Sequence, residues 1–295
     1  MPQPVSPGAC IGIVAPAGMP DQELFEKGIS LIRVRGYTVK LADQVYAEGP
    51  HALAGKDEER AEALMAFFED PSVDAIWMAR GGYGSTRLFP FLDSGRISSF
   101  PKRFMGCSDG TVLLAFFEKN CKMAAFHGPV VTQLGKLTPE ALEKTFQAFE
   151  GSADFSLEDG RILQQGRGEG RLIGGNLTLV SKLIGTPWCP DFENSLLFAE
   201  EVNEAPYRID RMFSHLKMAG VLDKISGLLL GAFTDCGEKD EIHERILHHL
   251  PSSIPVVSDL SFGHFPKNFP LAFGLVSALD TQTLLPLKEI RHEGT

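Results

Sequence analysis

Short apolar runs alternate with longer amphipathic segments over the first half of the chain. The apolar runs have the length of strands buried on both faces, and the segments between them repeat apolar positions at helical spacing. This alternation is typical of βαβ units stacked around a parallel sheet. The predicted strands are 11–15, 38–42, 75–79, 103–106 and 123–127, and the predicted helices are 21–35, 57–69, 110–119 and 139–149.

The pattern dissolves between residues 151 and 170 into polar, glycine-rich sequence, which predicts a linker between a domain over 1–150 and a second domain over 171–295. Beyond the linker we expect strands at 196–199, 227–233, 256–258, 273–277 and 281–285, and helices at 177–184, 206–218 and 238–250. The expected fold class is α/β: a flavodoxin- or Rossmann-like parallel-sheet domain, followed by a mixed α/β domain rich in strands.

Charge and hydropathy narrow the possible functions. A net charge of -10 over 295 residues argues against a nucleic-acid-binding surface. No segment approaches eighteen consecutive apolar residues, and the N-terminus lacks the basic and apolar regions of a signal peptide, so we expect a cytoplasmic protein without membrane contact. The five cysteines show no C-x-x-C spacing, which disfavours both a disulfide framework and a zinc site. We expect neither a metal nor an organic cofactor.

Residues 106–110 read Gly-Cys-Ser-Asp-Gly, between a predicted strand and a predicted helix. G-x-S-x-G in this position is the sequence form of a nucleophile elbow, a tight turn that pushes Ser108 out of the sheet. The backbone N–H of Asp109 is then free to face an oxyanion. The motif alone is weak evidence, because 30 glycines make chance matches common.

A serine nucleophile needs a base, usually a histidine held by a carboxylate. Among eight histidines, His264 lies in a loop with glycine and proline that could fix an imidazole at a cleft. His127 ends a predicted strand, close to where α/β sheets place their ligands, but a partly buried structural histidine is the favoured interpretation. Glu200 and Glu201 end another predicted strand and should point to opposite faces, so at most one can share a site with a given histidine.

A glycine pair, Gly81 and Gly82, follows the predicted strand 75–79. Its backbone N–H groups could complete an oxyanion hole with Asp109. A phosphate-binding loop is the competing interpretation, although the spacing matches neither G-x-G-x-x-G nor the lysine-bearing P-loop.

Taken together, these motifs resemble the LD-carboxypeptidases, serine peptidases of the muramoyltetrapeptide carboxypeptidase and microcin-immunity type. Seven blocks occur in order along nearly the whole chain, at 11–18, 79–84, 106–109, 127–129, 174–177, 200–211 and 262–264. Carried over by position, the resemblance implies Ser108 as nucleophile, His264 as base and Glu200 as orienting acid, with Glu201 as the second choice. The nucleophile would belong to the first domain, and the acid and base to the second.

Two positions depart from the family pattern, which commonly has an aromatic residue at Cys107 and a β-branched residue at Gly110. Cys107 also raises the alternative of a cysteine nucleophile of the glutamine-amidotransferase kind. The resemblance implies an oxyanion hole from Asp109 and Gly82, and makes Arg80 and Gly81 candidates for substrate contacts. Arg80 is a candidate by position only, and a structural ion pair is the favoured interpretation.

The resemblance also implies an activity: release of the terminal D-Ala from a murein tetrapeptide during cell-wall recycling, by an enzyme that works as a homodimer. Some relatives instead act on peptidyl or aminoacyl nucleotides. Neither Trp77 nor Trp188 lies in an obvious insertion that could stack on an adenine, which favours the murein peptide. A ligand-binding module that keeps the fold without the chemistry is the alternative from another class.

Overall fold

The computed structural model describes residues 1–152, 154–284, 286 and 287. They form two α/β domains, each built around a six-stranded sheet, and the predicted fold class is confirmed. Residues 288–295, the end of the predicted second domain, lie outside the described residues.

Five strands of the first sheet come from the first half of the chain: β1 (Cys10–Val14), β2 (Thr38–Leu41), β3 (Ala75–Met78), β4 (Arg103–Gly106) and β5 (Ala125–His127). They have the order β2-β1-β3-β4-β5, with every neighbouring pair parallel, as in flavodoxin-like folds. The sixth strand comes from the second half of the chain and pairs antiparallel with β5. The helices of this half are α1 (Gln22–Val34), α2 (Asp57–Glu69), α3 (Ser94–Ser99), α4 (Thr111–Cys121) and α5 (Pro139–Glu150). The short α3 is absent from the sequence prediction.

The helix ends follow local chemistry. The Asp21 carboxylate accepts a hydrogen bond from the N–H of Leu24 at 3.0 Å, and the Thr138 hydroxyl accepts one from Ala141 at 3.2 Å. Each satisfies a donor that the first turn of a helix leaves unpaired. Such local signals explain why the predicted helices agree with the observed ones to within about two residues.

The second sheet has the order β12-β7-β8-β9-β10-β6, with a parallel centre from β7 to β10 and an antiparallel strand at each edge. Its strands are β6 (Arg161–Gln164), β7 (Arg167–Asn176), β8 (Ser195–Val202), β9 (Gly227–Thr234), β10 (Val256–Ser258) and β12 (Val276–Asp280). The helices are α6 (Leu177–Leu183), α7 (Pro206–Met218) and α8 (Lys239–His249). In the part of the chain that the structure describes, none of the helices has the length and apolar character needed to cross a membrane.

Part of the stretch expected to be a linker is regular structure, since β6 and the start of β7 lie within residues 151–170. The glycines that suggested a linker have another role. A Cβ on Gly168 would lie 2.0 Å from the carbonyl oxygen of Ser226, and one on Gly170 would lie 1.8 Å from that of Asn194. Glycine is therefore required at both positions, because the backbone segments just before β9 and β8 pass close to the backbone of β7.

The predicted strands at 273–277 and 281–285 are wrong in detail. Gly274, with φ of 87°, divides the first into β11 (Leu271–Phe273) and β12. Strand β11 leaves the second domain and pairs antiparallel with β5 of the first sheet. Residues 281–283 form a turn, and Leu285 is outside the described residues.

The two domains meet where α4 begins and β7 ends. The Thr111 hydroxyl accepts a hydrogen bond from the backbone N–H of Asn176 at 3.0 Å. A Cβ on Gly175 would lie 2.5 Å from that hydroxyl oxygen, and Gly175 has φ of 125°, so both space and backbone conformation demand glycine. Phe89 of the first domain stacks on Trp188 of the second, with ring centroids 4.6 Å apart.

We expect Gly175→Ala to destabilise the protein by roughly 3 kcal/mol, because it adds both backbone strain and a steric clash at this interface. Gly185→Ala is the matched control: Gly185 also has positive φ, 83°, but nothing lies within 4 Å of its Cβ position. Its cost should be about 1 kcal/mol, the backbone strain alone. Thermal unfolding compares them, and equal melting temperatures for the two variants would contradict this account of the interface.

Candidate active site

The glycine-rich loops of the first domain lie at the carboxyl ends of its central parallel strands. Arg80 to Gly82 follow β3, Ser108 follows β4, and His127 is the last residue of β5. These three strands are neighbours in the sheet. Parallel α/β sheets place their ligands at this edge, so the fold itself brings these loops to one location.

Ser108 has φ of 55°, in the left-handed region that residues other than glycine seldom adopt. It stands between the extended Cys107 and the first turn of α4. The glycines two positions before and after it face one side chain: Cβ atoms on Gly106 and Gly110 would lie 3.1 and 2.8 Å from the sulfur of Met78. The motif therefore forms a strained turn, as a nucleophile elbow requires, and a side chain at either glycine position would press on Met78.

The glycine pair after β3 lies directly against the serine. A Cβ on Gly81 would be 2.8 Å from the Cβ of Ser108 and 3.1 Å from its hydroxyl oxygen. The buried carboxylate of Asp109 accepts a hydrogen bond from the N–H of Ser85 at 2.6 Å, which ties the same loop to the elbow. Burial raises the pKa of Asp109, although the hydrogen bond from Ser85 opposes that shift. The backbones of the glycine loop and of the elbow are thus held around the serine hydroxyl.

The second domain supplies an acid and a base that already interact. Nδ1 of His264 lies 2.6 Å from Oε2 of Glu200, and the Glu200 side chain is fully buried. Burial acts to raise the pKa of Glu200, but the charge of His264 and its hydrogen bond outweigh it, so that pKa falls below its usual value. Burial acts to lower the pKa of His264, but the negative charge of Glu200 and its hydrogen bond have the larger, opposite effect. The pKa of His264 is therefore raised. This is the pairing that orients an imidazole and stabilises its protonated form.

The loop that carries His264 is fixed at several points. Gly263 has φ of 113°, and a Cβ there would lie 2.9 Å from the Cβ of Glu200, so only glycine allows this approach. The N–H of Gly263 donates to the Asn268 side chain at 2.9 Å, and the Thr234 hydroxyl donates to the carbonyl of His264 at 2.9 Å. The sequence alone does not point to the roles of Asn268 and Thr234: Thr234 is 30 residues away from His264 along the chain, and the contact of Asn268 depends on the fold of an irregular loop.

Glu201 has different partners. Its carboxylate accepts hydrogen bonds from the Asn176 amide at 2.7 Å, from the N–H of Thr178 at 2.8 Å and from the N–H of Val202 at 2.9 Å. Thr178 lies in the first turn of α6, so Glu201 holds the start of that helix. Burial raises the pKa of Glu201. Of the two acids that the sequence left open, Glu200 is the one that contacts His264.

A short chain of contacts connects the two halves of the site. Ser108 lies three positions before Thr111, the first residue of α4. The Thr111 hydroxyl accepts a hydrogen bond from the N–H of Asn176. Asn176 of β7 pairs in register with Glu200 of β8. In addition, the negative charge of Glu200 contributes to raising the pKa of the Cys107 thiol, after burial. Among the described residues the Ser108 hydroxyl makes no hydrogen bond. Hydrogen bonds between catalytic groups are often completed only when substrate binds.

Comparison with known proteins places the whole chain in one family. The sequence model of the LD-carboxypeptidase N-terminal domain matches residues 11–128, and that of the C-terminal domain matches residues 169–279. The murein tetrapeptide carboxypeptidase of Pseudomonas aeruginosa is 33% identical over 293 residues, covering 93% of this chain and 94% of that protein. The chain belongs to the LD-carboxypeptidase family. The enzyme is therefore a hydrolase of a serine peptidase family.

Solved structures agree with that assignment. The muramoyltetrapeptide carboxypeptidase from Oxalobacter formigenes superimposes with a TM-score of 0.82 at 30% identity, covering 96% of this LD-carboxypeptidase and 100% of that chain. The microcin C7 self-immunity protein MccF superimposes with a TM-score of 0.90 at 23% identity, covering 99% of this chain and 98% of the other. At that identity the second likeness shows the fold alone.

Cys107 of this LD-carboxypeptidase is poorly suited to act as a nucleophile. Its thiol is buried, and burial raises its pKa far above neutral pH. Its sulfur lies 3.5 Å from the Gln133 side-chain oxygen, on the inner side of the elbow. A reactive cysteine needs the thiolate and access to the substrate, and this environment supplies neither.

Arg80 has an exposed side chain. One of its guanidinium nitrogens donates to the carbonyl of Met19 at 2.7 Å, and its charged end lies over Gly18 and Gly82. Within the described ranges it forms no ion pair, so the alternative of a structural ion pair finds no support there. The remaining N–H groups stand beside the glycine loop. Among the same residues, no group of three or more His, Cys, Asp and Glu side chains is arranged to hold a metal ion.

We expect Glu200→Gln and Glu201→Gln to separate catalysis from stability. Glu200→Gln removes the carboxylate that holds His264 and should lower kcat by roughly 10³- to 10⁴-fold. Glu201→Gln disturbs the hydrogen bonds at the start of α6 and should cost about 1 to 3 kcal/mol of stability, with kcat within tenfold of wild type.

The pH profile gives the same comparison a second readout. Because Glu200 raises the pKa of His264 above 6.5, kcat/KM should fall at low pH with a midpoint above 6.5, since the base works unprotonated. The residual activity of Glu200→Gln should fall at a lower pH than that of wild type. A wild-type rate for Glu200→Gln, or an unshifted midpoint, would contradict the assignment.

Proposed function

We propose that this LD-carboxypeptidase hydrolyses the peptide bond that joins the diamino acid to the terminal D-Ala of a murein tetrapeptide, by acyl transfer through Ser108. The observation that carries the proposal is the hydrogen-bonded pair of His264 Nδ1 and Glu200 Oε2, 2.6 Å apart, in a fold that also holds Ser108 in a left-handed elbow. A histidine whose Nδ1 donates to a carboxylate has Nε2 available to accept a proton.

In the first step, His264 accepts the hydroxyl proton of Ser108 at Nε2 while the serine oxygen attacks the carbonyl carbon. A tetrahedral oxyanion forms, and the backbone N–H groups of Asp109 and Gly82 are the donors that we assign to it. The imidazolium then gives its proton to the amine of D-Ala, the carbon–nitrogen bond breaks, and D-Ala leaves. A water molecule attacks the acyl-enzyme by the same route, with His264 as base, and returns the free serine and the shortened peptide.

A carboxypeptidase must also recognise the free carboxylate at the end of its substrate. We assign this role to Arg80, with Gly81 as a neighbouring backbone contact. Arg80 has guanidinium N–H groups beyond the one used by Met19, and a guanidinium can bind a carboxylate through two parallel hydrogen bonds. Its charged end lies by Gly82, on the loop that contacts Ser108, so a bound carboxylate would be near the scissile bond.

The murein peptide is favoured over a peptidyl or aminoacyl nucleotide by the name of the Pseudomonas aeruginosa relative and by the state of the two tryptophans. Trp77 is fully buried and donates its indole N–H to the carbonyl of Pro129 at 2.7 Å. Trp188 stacks on Phe89. Trp77 is therefore closed to a nucleobase, and Phe89 covers one face of the half-buried Trp188. The proposed setting, a cytoplasmic homodimer in cell-wall recycling, rests on the family resemblance.

The direct test offers the purified enzyme two substrates in parallel: a murein tetrapeptide, and an aminoacyl sulfamoyl adenylate. We expect the wild-type enzyme to release D-Ala from the tetrapeptide. In Ser108→Ala the rate of that release should fall by several orders of magnitude at an unchanged melting temperature. Release of the amino acid from the adenylate alone would overturn the murein assignment. Release of D-Ala by Ser108→Ala at the wild-type rate would overturn the mechanism and favour another nucleophile.

A further inference from the structure

His127 is a fully buried titratable side chain that the mechanism above does not use. It ends β5 and pairs in register with Gly106, two positions before Ser108. Neither ring nitrogen has a hydrogen-bond partner among the described residues. Leaving a buried polar group unpaired destabilises the folded protein, so an imidazole with two unpaired nitrogens requires an explanation.

A second unpaired atom lies in the same region. Oε1 of Glu200 is buried and makes no hydrogen bond within the described part of the chain, whereas Oε2 binds His264. The Asn176 amide, which donates to Glu201, contributes to lowering the pKa of Glu200. A buried carboxylate is stable only when its oxygens are well supplied with donors, so Oε1 has room for a further donor.

The contacts of the His127 ring place it beside the acid–base pair. The ring packs edge-on against Phe198 and Phe262, with centroid distances of 5.3 and 6.4 Å. Phe198 lies two residues before Glu200 on β8, so both side chains project from the same face of the strand. Phe262 lies two residues before His264. His127 therefore contacts the segment that carries the acid and the segment that carries the base.

The charge state of His127 suits a donor. Burial lowers its pKa to about 4, so the ring is neutral near pH 7 and carries one N–H and one free nitrogen. The charged groups that act on it are Glu200 of β8 and His264 of the loop after β10. The Cys107 thiol after β4 is protonated near neutral pH and adds no charge.

We propose that His127 is a positioning residue that donates its ring N–H to Oε1 of Glu200, directly or across one water molecule, and so fixes the carboxylate that holds His264. The proposal rests on the proposed function in that Glu200 and His264 act as the acid–base pair. It gives the buried histidine at the end of β5 a part in the reaction without contact with substrate. It also connects the strand next to the nucleophile with the acid of the other domain.

Three variants test this role. His127→Phe keeps an aromatic ring in an aromatic cluster but has no N–H, whereas His127→Gln keeps an N–H donor. Phe126→Leu is the control for lost packing, since Phe126 is buried on the same strand but points to the opposite face, near Arg103. Melting temperatures of all three establish that each variant is folded.

Two measurements read the result. The first is kcat and KM for D-Ala release, in which we expect His127→Phe to lower kcat by roughly 10- to 100-fold with little change in KM, and His127→Gln to recover much of the loss. The second is the low-field proton resonance of the His264 N–H that is shared with Glu200. It should shift in His127→Phe, return toward the wild-type position in His127→Gln, and stay in place in Phe126→Leu.

A wild-type kcat and an unshifted resonance in His127→Phe would overturn the proposal. So would a loss of kcat in all three variants that simply follows the decrease in their melting temperatures. The resonance is measured without substrate, so it tests His127 even if the tetrapeptide is not hydrolysed. Failure of the proposed function is recognised separately, by D-Ala release that does not depend on Ser108.

Discussion

The close approach of α4 to the end of β7 is the constraint on which the site depends. The Thr111 hydroxyl occupies the space that a side chain on Gly175 would fill, and it binds the backbone of Asn176. On one side of this contact the chain runs back three residues to Ser108. On the other, Asn176 pairs with Glu200 and donates its side-chain amide to Glu201. This contact between domains therefore helps to set the position of Ser108, the proposed nucleophile, relative to Glu200, the proposed acid.

Desolvation explains why the site is built at this interface. Between the domains, Glu200 is cut off from water and must find its stabilisation in His264 and nearby dipoles. The same burial keeps His127 neutral and the Cys107 thiol protonated. In this low-dielectric region, the hydrogen-bonded pair of Glu200 and His264 lies where the proposed mechanism moves a proton. Close contacts, notably at Gly263, hold Glu200 and His264 in place, so these side chains need to move little during the proposed reaction.

The sequence predicts well those features that depend on neighbours in the chain. Helices with clear caps, buried parallel strands and the elbow at residues 106–110 all have local signals. It fails where the decisive contact is distant along the chain. Gly168 looks like part of a linker in the sequence, because the group that requires glycine there, the carbonyl of Ser226, lies just before a distant strand, β9. The crossing of β11 into the first sheet is invisible for the same reason. Strand alternation showed that only one of Glu200 and Glu201 could face the base, but choosing between them required the position of His264.

The central claim is that Ser108 of one domain is activated by His264 and Glu200 of the other. The most direct measurement is the rate at which a serine-directed fluorophosphonate modifies the folded protein, with the modified residue identified by peptide mass spectrometry. The account predicts rapid modification of Ser108 in the wild type, and modification slowed by several orders of magnitude in His264→Ala at an unchanged melting temperature. Modification of Ser108 at equal rates in the two proteins, or of a different serine, would contradict it.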